Sequence, residues 1–227
     1  LAGLRDIDAV LDAIVKSAAE RQGIAHRLQN GKSKRKAALR VGLTYNLKRV
    51  KPDVDGTADD EAEYDSPTTV NAIRDAIVSH GHEVVMLEAT PELPAIIGPS
   101  GVDVVFNIAE GIKGRNRESA VPAILELLDI PYTGSDPAAL SLALDKALAK
   151  RVVAQTGIRT PDYLLMTSGK ERLPKDFRFP AIVKPVAEGS SKGVLGKSVV
   201  ENEDELRALA REMAGKYRQA ALVETYL

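Results

Sequence analysis

From residue 39 onward, short apolar runs and longer amphipathic stretches take turns along the chain, and that alternation narrows the fold more than any other feature. The runs at 39–44, 83–87 and 102–108 have the length and the β-branched content of strands. Ser66 and Pro67 open a helix as N-cap and first-turn proline, Val70, Ile73 and Ile77 line its apolar face, and Gly81 closes it. Val121, Ile124, Leu125 and Leu128 predict another helix over 118–129, with Pro122 expected in its first turn, where a missing N–H costs nothing. Strands alternating with helices on short connections predict an α/β fold: a parallel sheet covered on both faces, Rossmann-like in layout. No G-x-G-x-x-G follows the first strand, which argues against a dinucleotide enzyme.

The character changes between 136 and 160. Leu144, Ala147, Leu148 and Val152 predict a helix ended by Gly157. Short strands follow at 163–166, 181–184 and 197–200, then a helix capped by Asn202 with Glu205 placed to bond back, then a strand over 221–227. Leu206, Leu209, Ala210 and Met213 form the apolar stripe of that helix. This order predicts a small α+β unit. The expected division is 1–37, 38–140 and 141–227. The first segment holds an amphipathic helix over 4–20, with Ile7, Val10, Leu11, Ile14, Val15 and Ala18 on one face, and a basic stretch over 31–36 that reads as a solvated linker. The loop over 45–65 is acidic in its second half, and loops of that length are commonly functional or disordered. The chain begins at Leu1 without a methionine and stops inside a strand pattern, so it reads as a piece of something longer.

Charge excludes several classes. The 227 residues carry 31 basic and 32 acidic side chains, a net charge of −1, which gives no general attraction to nucleic acid or to anionic membranes. No apolar run approaches the roughly 18 residues that span a bilayer, and cysteine is absent, so a cytoplasmic location is the expectation. The three histidines, His26, His80 and His82, lack the spacing of a metal motif, and no metal-binding residues are assigned in this sequence.

The chemistry concentrates between 181 and 193. Lys184 ends the apolar run Ala181-Ile-Val-Lys184 directly before Pro185, where its ammonium is costly to desolvate unless an anion meets it. A lysine snorkelling from a strand end accounts for it equally well on its own. The next loop, Glu188-Gly-Ser-Ser-Lys-Gly193, shifts that balance. Gly189 and Gly193 let the backbone approach a ligand, Ser190 and Ser191 supply hydroxyls, and Lys192 adds charge, which together suit phosphate oxygens. A hairpin turn explains the glycines but not the lysine upstream. The loop also matches G-x-S-x-G, but a nucleophile elbow needs a later histidine and none follows His82. Gly-Lys-Ser at 196–198 fails as a Walker A loop because Ser191 stands where the first glycine belongs.

Ile130-Pro-Tyr-Thr-Gly-Ser135, Leu144-Asp-Lys-Ala-Leu-Ala-Lys150, Gly157-Ile-Arg-Thr-Pro161, Phe179-Pro-Ala-Ile-Val-Lys-Pro185, Glu188–Gly193 and Val223-Glu224 occur in that order. Taken together, from about Arg40 to Leu227, they resemble the D-alanine–D-alanine ligase family of ATP-grasp enzymes. The resemblance implies a Rossmann-like pre-ATP-grasp domain over 38–140, then the first part of the central ATP-grasp subdomain, with the C-terminal lobe missing. It implies an ATP-dependent carboxylate–amine ligase working through an acyl-phosphate. Lys146 and Lys184 match the lysines that reach the ATP phosphates; Glu188, Gly189, Ser190, Ser191 and Gly193 match the lid over phosphates and reacting groups. Glu224 matches the acid that accepts the adenine amino group, with the backbone at Thr225 and Leu227 beside it; alternatively Glu224 is a charged residue on a strand's solvent face. Magnesium is expected with ATP, on family ligands that lie beyond residue 227, so the chain as it stands is expected to lack ligase activity. The resemblance implies small-molecule partners, an amino acid or other carboxylate plus an amine, and leaves a homodimer open, with no nucleic acid or membrane.

The departures fall on the substrate side. The first strand leads into Tyr45-Asn-Leu-Lys-Arg49 rather than the family's Gly-Gly-x-Ser-x-Glu segment, leaving Glu61, Glu63 and Asp65 as nearby acids for its role. The third strand runs into Phe106-Asn-Ile-Ala-Glu-Gly111 and Gly114-Arg-Asn-Arg-Glu118 instead of the family's His-Gly loop, so Glu110, Arg115 and Arg117 are the substrate-side candidates. A non-catalytic ATP-grasp-like binding or regulatory module is the alternative that such altered loops suit.

Overall fold

The computed structural model describes residues 17, 38–49, 59, 61–194 and 198–226. The expected helix over 4–20, the basic stretch over 31–36, Lys197 and Leu227 therefore lie outside the described residues, apart from Ser17. The chain divides into two compact units, one of residues 1–49 and 64–138 and the other of residues 50–63 and 139–227.

In the first unit, β1 (Arg40–Tyr45), β2 (Glu83–Glu88) and β3 (Val104–Asn107) form a parallel sheet in the order β2-β1-β3. Val41 pairs with Val84 on one side and Val104 on the other, which puts β1 at the centre. Its Gly42 sits in tight packing: an added Cβ would stand 2.9 Å from Leu87 Cδ1 and 3.1 Å from Val105 Cγ2, so those side chains would have to shift to admit one. Helix α1 (Pro67–Ser79) lays Ile73 and Ile77 against Val41 and Val104. Helices α2 (Leu93–Ile97) and α3 (Arg117–Leu127) bury Leu93, Ile97, Val121 and Leu125 against Leu87 and Val105. The sheet is thus covered on both faces, as alternation predicts. Ser66 caps α1 through the Thr69 N–H at 3.1 Å. Two details differ from expectation. The short α2 has too few residues to show a period, and Pro122 is inside α3 rather than in its first turn, removing one interior hydrogen bond while its ring packs fully buried.

The division between the units falls within α4 (Pro137–Leu144). The second unit continues with α5 (Lys146–Gln155), β4 (Tyr163–Met166), β5 (Ala181–Pro185), β6 (Val199–Val200), α6 (Glu203–Tyr217) and β7 (Ala221–Thr225). The one helix expected across 144–152 is two, because Asp145 accepts from the N–H groups of Ala147 (3.0 Å) and Leu148 (2.9 Å) and so starts α5 afresh. The strands form an antiparallel sheet in the order β4-β7-β5-β6. One face buries Met166, Ala181, Val183 and Val223 under Leu206, Ala210 and Met213 of α6. The other face packs Tyr163, Leu165 and Leu222 against Leu144 and Ala147. Asn202 caps α6 through the Glu205 N–H at 3.0 Å, while the Glu205 carboxylate takes the Glu201 N–H and the Asn202 amide. Among the described residues no helix is long and apolar enough to cross a membrane.

Candidate functional site

Alternation along β5 turns Ala181 and Val183 into the core beneath α6 and leaves Lys184 on the opposite face. On β7, Glu224 stands on that same face, diagonally across from Lys184: Lys184 pairs with Leu222, and Ile182 with Glu224. The Lys184 ammonium reaches Glu224 Oε1, and Lys150 Nζ from α5 meets Glu224 Oε2 at 2.8 Å. Lys150 also donates to the Pro161 carbonyl at 3.0 Å and sits 5.5 Å from the centre of the Tyr163 ring. Glu224 is only 7 % exposed, so it is no solvent-face residue. Burial pushes its carboxyl upward in pKa, but hydrogen bonds and charge from Lys150 and Lys184 outweigh that and hold it below the ordinary glutamate value.

A second glutamate gathers two more lysines. Lys146, at the first position of α5, reaches the Glu188 carbonyl oxygen, and Lys192 Nζ is 3.1 Å from the Glu188 carboxylate. Gln219 ties this group to the strand ends: its Nε2 donates to Glu188 Oε1 at 2.7 Å and its Oε1 accepts the Ala187 N–H at 2.6 Å. Between Glu188 and Gly193 the loop rises to the surface. Ser190 and Ser191 are exposed and both adopt left-handed backbone, with φ of 46° and 58°. For non-glycine residues that conformation costs roughly 1–2 kcal/mol each. Gly193 returns the chain against β5 at φ 74°, where a Cβ would lie 2.6 Å from Pro185 Cγ.

The family model for the C-terminal part of D-alanine–D-alanine ligases matches residues 152–227, the span holding this sheet, the glycine-rich loop and Glu224. The D-alanine–D-alanine ligase of Aquifex aeolicus is 38% identical over 157 residues, covering 69% of this chain and 52% of that protein. The chain belongs to the D-alanine–D-alanine ligase-like family of ATP-grasp proteins. The corresponding ligase of Syntrophotalea carbinolica is 36% identical over 159 residues, 70% of this chain and 50% of its own. The fold agrees with a solved structure of D-alanine–D-alanine ligase from Bacillus anthracis complexed with ATP, at a TM-score of 0.62 and 23% identity over 84% of this chain and 59% of that one. The chain spans about half the length of the curated relatives it matches.

The residues singled out in the sequence thus fall into two groups. Lys146, Lys184, Glu188, Gly189, Ser190, Ser191, Lys192, Gly193, Glu224 and Thr225 all belong to the second unit, and Leu227 lies outside the described residues. Glu110, Arg115 and Arg117 belong to the first unit, where Arg115 is exposed, Glu110 half-buried and Arg117 buried at the start of α3. Lys150, the last residue of the Leu144–Lys150 segment, joins the first cluster through Glu224. Its spacing of four from Lys146 puts both on one face of α5, the signal that points to it.

Sequence reasoning also missed a polar network where β1 and β3 end. Asn46, 4 % exposed, accepts the N–H groups of Glu110 and Gly111 at 2.9 Å each and donates to the Ala89 carbonyl at 3.1 Å. Thr44 Oγ1 donates to Asn107 Oδ1 at 2.7 Å, and the Asn107 N–H meets Thr133 Oγ1 at 3.1 Å. These bonds fix the start of the 107–118 segment at the C-terminal edge of the parallel sheet, where open α/β folds receive ligands. The readable sign was a polar residue at the end of each apolar run.

Proposed function

We propose that this chain forms the substrate-side and lid part of an ATP-dependent carboxylate–amine ligase that works through an acyl-phosphate. The observation that carries the reading is the convergence of Lys146, Lys150, Lys184 and Lys192 on two glutamates beside a glycine-rich loop. Such ammonium groups are held ready for a polyphosphate, which can take them over from Glu188 and Glu224. In the reaction, a substrate carboxylate oxygen attacks the γ-phosphorus and ADP leaves. The amine nitrogen then attacks the acyl carbon, phosphate departs, and the nitrogen loses a proton to give the amide.

Lys146 and Lys184 balance charge on the phosphates, Ser190 and Ser191 cover the reacting groups, and Glu224 turns to the adenine amino group with backbone at Thr225 and Leu227. Glu110, Arg115 and Arg117 are proposed to meet the acid or amine. Catalysis here is positioning and charge stabilisation. Among the described residues no group of three His, Cys, Asp or Glu side chains is placed to hold a metal.

The decisive experiment is ATP binding and phosphate release by the full-length protein, screened over amino acids and other acid–amine pairs. One charge-assisted contact is worth about 1.5–3 kcal/mol, so Lys184→Ala should weaken ATP binding by about 10–100-fold. Wild-type affinity in that variant would remove Lys184 from the phosphate site. ATP binding without phosphate release for any pair would favour the non-catalytic module.

A further inference from the structure

Two acidic side chains distant in sequence also end on the lid. Glu63 Oε1 accepts the Gly189 N–H at 2.5 Å, and Asp59 Oδ2 accepts the Gly193 N–H at 3.0 Å. Both acids belong to the same compact unit as the loop. The N–H groups of Lys192 and Val194 close turns inside the loop, on the carbonyls of Gly189 (2.8 Å) and Ser191 (2.9 Å). Those of Gly189 and Gly193 are instead aimed out of the turn, and each meets a carboxylate.

Asp59 is further gripped by the Tyr217 hydroxyl and by Lys216 Nζ at 3.2 Å from Oδ1. Burial raises its pKa, but these donors and the Gly193 N–H hold it below the ordinary aspartate value, so it is ionised at neutral pH. To an outward-facing backbone N–H, a carboxylate oxygen and a phosphate oxygen are equivalent partners.

We propose that Asp59 and Glu63 occupy the positions of phosphate oxygens on the lid, so that ATP must displace the protein's own carboxylates from the amides of Gly189 and Gly193. The inference rests on the nucleotide reading of the lid and adds a regulatory property to it: the protein's own acids hold the loop's N–H groups, and entry of the triphosphate is coupled to release of this acidic pair. Only the phosphate end of the nucleotide competes. Adenosine, which has none, does not.

That asymmetry gives the test, by calorimetric titration of the full-length protein with ATP and with adenosine. Glu63→Gln and Asp59→Asn keep an acceptor for each N–H but no longer repel the triphosphate. Each should tighten ATP binding by about fivefold, the order of one partly exposed charge interaction, and together by more than about tenfold. Adenosine affinity should not move. Asp59→Asn gives up its pairing with Lys216, so its thermal midpoint is measured alongside. Glu63→Gln, which retains that pairing, tests the proposal by itself should Asp59→Asn not fold. ATP affinity unchanged or weakened in Glu63→Gln overturns the proposal while leaving the nucleotide site standing. Absence of ATP binding in wild type and variants alike overturns the nucleotide reading and this inference with it.

Discussion

The two units organise their polar groups by opposite means. At the edge of the parallel sheet the partners are neutral: buried Thr44, Asn46 and Thr133 and half-buried Asn107 satisfy one another and the backbone of the following loop. On the antiparallel sheet the partners are ions, with Lys150 and Lys184 on Glu224 and Lys192 on Glu188. Neutral amides fix one geometry and have no reason to exchange, because any other arrangement leaves a buried N–H or C=O unpaired. Ion pairs around a shared glutamate are different. An anion arriving among them would compete directly with the glutamates for the lysines, so such contacts can exchange where the neutral ones cannot. The first network suits a scaffold and the second suits a site that changes partners.

Glu224 is where that contrast breaks most sharply. Removing one member of a buried ion group costs about 3–5 kcal/mol, since the remaining charges lose their partner. Glu224→Ala leaves Lys150 and Lys184 facing each other and should destabilise the second unit by about that amount in denaturant unfolding. Adding Lys184→Met to Glu224→Ala should recover part of the loss, because one stranded ammonium goes with it. The pH dependence follows from the lowered pKa of Glu224. Its stabilising contribution is present above the ordinary value of 4.5 and is lost as pH falls through the folded-state value below it. An acid titration in which Glu224→Gln and wild type lose stability in parallel below pH 4.5 would mean the pairing contributes nothing.

A smaller effect, of opposite sign in pH, is expected at Asn46. Asn46→Ala strands the N–H groups of Glu110 and Gly111 and should cost about 1–3 kcal/mol at every pH. Asn46→Asp keeps the accepting oxygen but turns a carboxylate oxygen toward the Ala89 carbonyl, which Asn46 Nδ2 now satisfies at 3.1 Å. Only the protonated acid can donate there, so the introduced carboxyl has a raised folded-state pKa. Stability lost at neutral pH should return as pH falls through that value. The sites would then respond to acid in opposite directions, Glu224 losing and Asn46→Asp gaining. A flat profile for Asn46→Asp would mean that the Asn46 amide nitrogen does not donate to the Ala89 carbonyl.

Much of this was legible in the sequence because backbone order follows local pattern. Alternating apolar runs and helical stripes give the parallel sheet, Ser66 and Asn202 announce their caps, and Leu206, Ala210 and Met213 give the face of α6. Lys184 and the 188–193 loop stood out because a strand-end lysine just before a glycine-rich loop is a local pattern, and the structure gathers that lysine with Lys150 on Glu224. The burial of Glu224 was not, since one acid in a strand carries no sign of what crosses the sheet. Nor was the contact of Asp59 and Glu63 with Gly193 and Gly189, which joins residues more than a hundred positions apart in a pairing that no period encodes. Asp145 was a misread local signal: its capping oxygen outweighed an apolar spacing that continued across it.

Two helix caps bring the comparison to its smallest scale, because each unit starts a helix with one side-chain acceptor. Ser66 in the first unit accepts one N–H, that of Thr69 at 3.1 Å, from a half-buried position. Asp145 in the second accepts two, is buried, and adds negative charge at the helix N-terminus that bears Lys146. Ser66→Ala should cost about 0.5–1 kcal/mol and leave ATP binding untouched, since nothing in its unit carries the lysine cluster. Asp145→Ala should cost about 1–2 kcal/mol and also weaken ATP binding, because the start of α5 sets where the Lys146 and Lys150 ammonium groups arrive. Asp145→Asn, which keeps a capping oxygen, should restore most of both. If Asp145→Ala lowered stability but left ATP affinity at the wild-type value, α5 would be placed by its packing on the sheet, and the cap would matter no more there than it does at Ser66.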